Sequence, residues 1–486
     1  MNFVTWEFTV FLFLTVLLFV LLPSRMRFWL LLAVSYLFYA SWSFIFIGII
    51  LLSTSVDYVL SRIIFRTSSA QQKRLLLTAG IAANLVVLGY FKYVNFFLNS
   101  AHSLFSWLHI QSPLPEFIQT ILPLGISFYT FEAISYLVDV YRGKAPAKNW
   151  LEYNFYIMYF PHLISGPIIR FEELREQFGK GWALPSLERI GQGMELILLG
   201  FIFKLLIADP VSQLVDPVFM KPGAASSLST LIAVLGFTVQ IYFDFMGYTH
   251  IARGASLLFN LELPLNFNHP YLACNIRDFW NRWHISLSRW IRDYLYIPMG
   301  GSKGAPSRTI TNLLCTMLIA GAWHGAGWTY IAWGGYHGVL LAVAHASELA
   351  GKRPGIRLFA QAWGKLPAHV SQSLTIASTF ILVVIGWVLF RAPNFPTAVQ
   401  VLQKAANVPH LFQEILDVVQ RKHYLPLSQL IVLLLLCFSG PWMIQWVGRL
   451  YRPLPFWAKA QLACILAVLC WFLTASEQIP FIYFQF

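Results

Sequence analysis

Residues 311–339 read TNLLCTMLIAGAWHGAGWTYIAWGGYHGV. Apart from His324 and His337, nothing acidic or basic lies in that stretch. A run this long and this apolar predicts helices that cross a bilayer. An ionisable group held at bilayer depth is expensive, so it usually faces a cavity or a partner and marks function. His324 is therefore the first candidate for chemistry.

The rest of the chain agrees with that setting. Of its 486 residues, 57% are hydrophobic and only 11% are charged, with a mean hydropathy of +0.62. Soluble domains carry about 25% charged residues, so a large soluble helical core is excluded. Spans are expected near 7–22, 28–40, 43–61, 75–98, 121–141, 190–207, 226–246, 310–324, 328–348, 371–390, 427–447 and 457–475. The fold class expected is all-α and polytopic, with about 11–12 transmembrane helices.

The net charge of +13 is unevenly placed. With the N-terminus outside, the inward segments hold Arg25 and Arg27, then Arg62, Arg66, Lys73 and Arg74, and most of the remaining Lys and Arg. That bias predicts both termini outside. The first apolar run has no Lys or Arg ahead of it and reads as a retained anchor rather than a cleaved signal. Cys274, Cys315, Cys437, Cys464 and Cys470 show no paired spacing, and no disulfide framework is expected.

The chain reads as one integral-membrane domain, residues 1–486, with a catalytic core over about 120–350 and C-terminal spans over 427–475. The outer loop 391–425 holds PTAVQVLQKA and LFQEILDVVQ, both with helical spacing of apolar residues. Amphipathic helices on the outer membrane surface are expected there. Prolines 161 and 167 and Gly166 interrupt the apolar run 154–177, which predicts a broken or re-entrant helix. Over 276–296, Ile276, Trp280, Trp283, Leu287, Trp290 and Tyr294 recur every three or four residues beside Arg277, Arg282, Arg289 and Arg292. This pattern predicts one cationic amphipathic helix, with His284 on the edge of its apolar face.

An imidazole suits acyl transfer because it takes a proton from a hydroxyl that attacks a thioester, then returns it. Gly321, Gly325 and Gly327 leave room beside His324, and Trp323 and Trp328 can wall a passage. His337 has a weaker case, with a structural role beside glycines 334, 335 and 338 as its alternative. No metal is expected, since the histidines lack zinc-site spacing and no acidic pair accompanies them. GxSxG is absent, so Ser165 is read as a loop serine.

Asp244 ends a span, where it either orients a histidine or holds a helix end. Glu132 and Asp139 share a helical face, and Lys92 is a candidate partner for one of them. The inner basic surface either sets orientation on anionic lipid or attracts an anionic thioester cofactor. For the second use, Arg282, Arg289, Lys303 and the ring of Trp323 are the candidate binding residues. Lys303 lies in MGGSKG, which lacks a phosphate-loop pattern and reads first as a surface turn. The basic charges sit in short membrane loops, not in a stripe, which argues against nucleic acid.

RDFWNRWHISLSRWIRDYLYIPMGG and, further on, AGAWHGAGWTYIAWGGYHG resemble the membrane-bound O-acyltransferase family. LPLGISFYTFEAISYLVDVYRG, FPHLISGPIIRF, YFDFMGYTHIARGASLLFN and the ending PFIYFQF resemble its bacterial polysaccharide acetylase branch, of the alginate and cellulose type. The resemblance covers about residues 20–395. It implies tilted helices around a central tunnel, His324 as the signature catalytic residue and His284 as a second functional position. It also implies acetyl-CoA as acyl donor at the bacterial inner membrane, and a periplasmic acetyltransferase or acceptor protein as partner.

The expectation is an O-acetyltransferase acting on an exopolysaccharide, with His324 as base, His284 assisting and Asp244 in support. Two alternatives stand beside it. One is transfer of D-alanyl or another acyl group to a cell-envelope polymer. The other is a transporter for a polysaccharide or lipid-linked precursor, against which the lack of a visible inverted repeat weighs.

Overall fold

In the computed structural model, two helices cross at the closest possible range, and glycine permits it. A Cβ on Gly334 would lie 2.2 Å from the Met317 carbonyl oxygen, and one on Gly321 would lie 2.3 Å from the Tyr330 carbonyl oxygen. These glycines join the helices Pro306–His324 and Trp328–Ala350 into a hairpin whose backbones touch. Small residues at a helix crossing replace the hydrophobic drive that lipid does not supply.

The structure describes residues 1–163, 166–178, 182–350, 367–455, 457–459, 461, 462, 464, 465, 468, 481 and 482. Ser165, Cys470, Lys365, most of the span expected at 457–475 and most of the PFIYFQF ending lie outside the described residues. In chain order the α-helices are α1 (Trp6–Leu21), α2 (Ser24–Ala40), α3 (Ile45–Arg66), α4 (Ala70–Leu88), α5 (Val94–Trp107) and α6 (Ile126–Tyr141). They continue with α7 (Trp150–Met158), α8 (Phe160–Leu163), α9 (Phe171–Phe178), α10 (Leu187–Phe201), α11 (Asp209–Met220) and α12 (Ser227–Leu258). After these come α13 (Ile276–Arg282), α14 (Ile285–Ile291), α15 (Pro306–His324) and α16 (Trp328–Ala350). The last are α17 (Ala368–Arg391), α18 (Phe395–Ala405), α19 (Val408–Gln420) and α20 (Leu425–Tyr451). No strand occurs among the described residues.

The protein is an all-α, multi-pass membrane protein. Among the described residues, α3, α4 running on through α5, α12, α17 and α20 are long and apolar enough to cross a bilayer. Wider π-helical turns interrupt the α-geometry at 89–93, 202–208 and 292–296. Such turns tend to mark functional positions.

The chain divides into two compact units. The first comprises Met1–Ile197, Thr249–Pro264 and Gln461–Ser476. It is tied inside by polar pairs: Asn84 on α4 donates to Asp57 on α3 at 2.8 Å, and Asn154 on α7 donates to Thr54 at 3.0 Å. The run at 154–177 is broken as its prolines predict, into α7, α8 and α9. The carboxylates of α6 find other partners than Lys92. Glu132 meets His162 at 3.1 Å and Asp139 meets Lys144 at 2.8 Å, while Lys92 reaches the Ser127 hydroxyl at 3.3 Å. Which helices lie side by side decides those pairs, and sequence spacing does not carry that information.

The second unit comprises Leu198–Tyr248, Leu265–Ala460 and Glu477–Phe486. Within it, the loop 391–425 forms two amphipathic helices, α18 and α19, as its periodicity predicts. Glu414 of α19 accepts from the backbone N–H groups of Ser227 at 3.1 Å and Leu228 at 2.7 Å, capping the first turn of α12. Lys404 of α18 donates to the carbonyls of Gly223 and Ala225 at 2.9 and 2.6 Å. The acidic side chain thus satisfies orphan N–H groups of the first turn of α12, and the basic one holds carbonyls of the segment just before it.

Candidate active site

His324 closes α15. Pro306 starts this helix at a position where its missing N–H costs nothing. The helix stops because Gly325 takes an extended conformation, leaving the imidazole on the last turn, 3% exposed. The Trp323 ring lies 4.9 Å from the His324 ring and 6.3 Å from that of His284. The two histidines separated by forty positions in the chain therefore both meet one indole. Trp333 and Phe390 stand edge-on to His324 at 5.0 and 5.3 Å.

His284 arrives by a different route from the one its periodicity suggests. The expected single helix over 276–296 is broken into α13 and α14, and His284 is the break, with φ 43 and ψ 55. A left-handed conformation at a residue with a Cβ costs of order 1–3 kcal/mol, and the surroundings must hold it. Asn266 does so. Its backbone carbonyl accepts from Ile285 N–H at 2.9 Å, and its side-chain Oδ1 accepts from Ser286 N–H at 3.3 Å and Ser286 Oγ at 2.6 Å. Asn268 N–H donates to the Arg282 carbonyl at 2.9 Å, closing the same clamp. The result aims a fully buried imidazole edge-on at Phe245, 4.7 Å away. Burial pushes its pKa down to about 3, so His284 is neutral at physiological pH.

Asp244 precedes Phe245 but turns elsewhere. Its Oδ1 lies 3.0 Å from Lys204 Nζ, which also meets Asp209 at 2.6 Å, and its Oδ2 accepts from Ile482 N–H at 2.8 Å. Phe481 rests on Tyr248 at 4.2 Å and on Phe245 at 5.8 Å. Asp244 thus anchors a piece of the C-terminal segment, and Phe245 links that anchor to His284.

The proposed cofactor residues are dispersed. Trp323 is central and 5% exposed. Arg282 is half-buried, tied to Asp278 at 2.7 Å and to the Asn268 carbonyl at 3.4 Å. Arg289 and Lys303 are exposed. Lys303 sits in a turn whose Gly300, Gly301 and Gly304 all have positive φ, with Asn312 Nδ2 donating to Gly301 O at 2.9 Å. Among the described residues, no group of three or more His, Cys, Asp or Glu is placed to hold a metal ion.

Sequence reasoning missed Asn266, Trp333, Phe390 and Lys204. Asn266 lies in an irregular segment where no periodicity singles it out, and the two aromatic residues look like ordinary core. A lysine inside the apolar run 190–207 was a legible signal for a buried ion pair, by the same argument that flags His324.

Comparison with known proteins agrees with this arrangement. A sequence model of the membrane-bound O-acyltransferase family matches residues 76–349, which include His284 and His324. The chain is 40% identical over 398 residues to a probable alginate O-acetylase of Azotobacter vinelandii, covering 80% of this chain and 75% of that one. It is 40% identical over 397 residues to a probable alginate O-acetylase of Pseudomonas aeruginosa, covering 80% and 72%. A peptidoglycan O-acetyltransferase of Helicobacter pylori is 33% identical over 507 aligned positions, covering 96% and 92%. With two buried imidazoles against one tryptophan and a family match over more than half its length, this chain belongs to the membrane-bound O-acyltransferases.

Proposed function

We propose that this O-acyltransferase moves an acetyl group from cytoplasmic acetyl-CoA across the bacterial inner membrane for O-acetylation of an exopolysaccharide of the alginate or cellulose type. A periplasmic acetyltransferase or acceptor protein takes the group at the outer side. The observation that carries this reading is that His324 and His284 both meet the ring of Trp323, at 4.9 and 6.3 Å, inside a protein whose relatives include alginate O-acetylases.

The chemistry follows from the positions. A hydroxyl of the acceptor attacks the thioester carbon, and its proton passes to His324. A C–O bond forms, and the carbonyl pair moves onto oxygen. The pair then returns, the C–S bond breaks, and His324 gives its proton to the departing thiolate. His284, neutral and fixed by its clamp, orients groups at the same centre. Arg282, Arg289 and Lys303 supply positive charge for the coenzyme phosphates, and Trp323 packs against both imidazoles.

The test is His324→Ala in cells that make the polymer. Acetyl content of the exopolysaccharide should fall to background while the protein still inserts in the membrane. Normal acetylation with His324→Ala refutes the assignment. Purified protein given labelled acetyl-CoA or a D-alanyl-charged carrier protein separates acetyl transfer from D-alanyl transfer.

A further inference from the structure

Beside Trp333 lies a third imidazole, one that the proposed reaction does not use. His337 on α16 is fully buried, 5.0 Å from the Trp333 ring and 5.3 Å from that of Trp280. Trp280 and Trp333 are 5.8 Å apart, and Trp387 on α17 lies 6.0 Å from Trp333. One indole, that of Trp333, touches both His324 and His337. Helix α17 comes so near that a Cβ on Gly386 would lie 2.8 Å from His337 Nε2.

These rings share a property that ordinary aromatic packing does not explain. The indole Nε1 atoms of Trp280, Trp333 and Trp387 and both ring nitrogens of His337 are buried, with no hydrogen-bond partner among the described residues. Buried polar groups in folded proteins are nearly always paired, and each exception calls for a reason. An indole nitrogen only donates, and a neutral imidazole adds one donor more. The nest is therefore rich in N–H groups. A metal ion does not suit it, because indole cannot ligate one. A resident phosphate or carboxylate does not suit it either, because the three indoles carry no charge to offset a buried anion. What suits neutral donors in an apolar wall is a carbonyl oxygen that gains charge only during reaction.

We propose that Trp333, with Trp280, Trp387 and His337, forms the binding site for the carbonyl oxygen of the acyl thioester. This rests on the reading of His324 as base. When the acceptor hydroxyl attacks and His324 takes its proton, the carbonyl pair moves onto an oxygen held by the Trp333 N–H. When that pair returns and the C–S bond breaks, the hydrogen bond relaxes and the thiolate receives the proton from His324. The donors thus bind the tetrahedral species more tightly than the ground-state thioester, which is the condition for raising kcat.

The test uses the full-length chain in lipid nanodiscs with Trp333→β-benzothienylalanine, which keeps the ring shape and replaces N–H by sulfur. Turnover of acetyl-CoA should fall about 10²–10³-fold, with KM nearly unchanged. Unchanged turnover overturns the site. A second measurement does not depend on turnover: the infrared carbonyl band of bound, isotope-labelled acetonyl-CoA, a ketone that cannot transfer its group. In the unmodified protein the band should lie below its position in water. A band at or above that position overturns the site even if the substituted protein does not fold. His324→Ala is run in the same preparation. If His324→Ala is inactive and the Trp333 variant is normal, the nest assignment fails alone. If His324→Ala is active, the base assignment fails, and the proposed site fails with it.

Discussion

Replacing Gly321 by alanine perturbs the candidate site without touching either histidine. The new Cβ would stand 2.3 Å from the Tyr330 carbonyl oxygen and 3.0 Å from the Gly334 Cα. A carbon and a carbonyl oxygen settle at about 3.3 Å or more, so the helices must part by about 1 Å. Backbone lies on both sides, and no flexible side chain is there to yield. Overpacking of this kind costs about 1–3 kcal/mol. His324 sits less than one turn beyond Gly321 on the same helix, so it moves with the crossing. A displacement of about 1 Å at a reacting centre lowers rates roughly 10²-fold. The measurement pairs thermal unfolding of the detergent-purified protein with the initial rate of acyl transfer. Gly335→Ala is the control on the same hairpin, because its Cβ would meet only the Leu318 Cδ2 atom, at 3.3 Å. Gly321→Ala should lose both stability and rate, and Gly335→Ala should keep nearly all of each. Equal behaviour of the two variants refutes the claim that the crossing positions His324.

Further outcomes follow from the contacts around the site. Asn266→Ala leaves the Ser286 N–H and hydroxyl without their acceptor and should cost about 1–3 kcal/mol. Its kcat should drop more than its KM rises, and Asn266→Asp, which keeps an acceptor oxygen, should recover most of the loss; no recovery would count against the clamp. Lys204→Met strands Asp209 and Asp244 and should destabilise by about 3–5 kcal/mol. Adding Asp244→Asn should restore part of that stability in the same unfolding assay, and a double variant worse than the single one argues against the pairing. At Glu414, burial pushes the carboxyl up, but the N–H of Leu228, the Ser226 hydroxyl, the N–H of Ser227 and nearby His410 outweigh it, and the net pKa is lowered from 4.5. Because the folded value is the lower one, its contribution is complete above about 4.5 and disappears as the pH falls through the folded value. The Tm difference between wild type and Glu414→Gln should be steady above that pH and shrink below it. A difference independent of pH removes the charge from the cap.

How much of this was legible in the chain depended on the range of the interaction. The apolar runs of α3, α12, α17 and α20 are local signals, and so is the anomaly of a histidine inside 311–339. The amphipathic helices α18 and α19 were legible because their apolar spacing is helical from end to end. The break at His284 was not, since the spacing of Trp280, Trp283, Leu287 and Trp290 continues through it as though the helix did too. What reverses the backbone is Asn266, and that contact is tertiary. Lys92 failed as a partner of the α6 carboxylates for the same reason. Its candidates were chosen by helical face, while the partners actually found, His162 and Lys144, were set by what packs or folds back nearby. Asp244 was found as a residue of interest, but its attachment to Lys204 and Ile482 belongs to the fold alone.

The cap on α12 has a mechanical meaning. Glu414 grips the helix at Ser227 and Leu228, and the same uninterrupted rod carries Phe245, the ring that touches His284. At 1.5 Å per residue the two ends of that lever are about 27 Å apart. A push on α18 and α19 therefore travels down a stiff shaft to the neighbour of the second imidazole, with no loop along the way to absorb it.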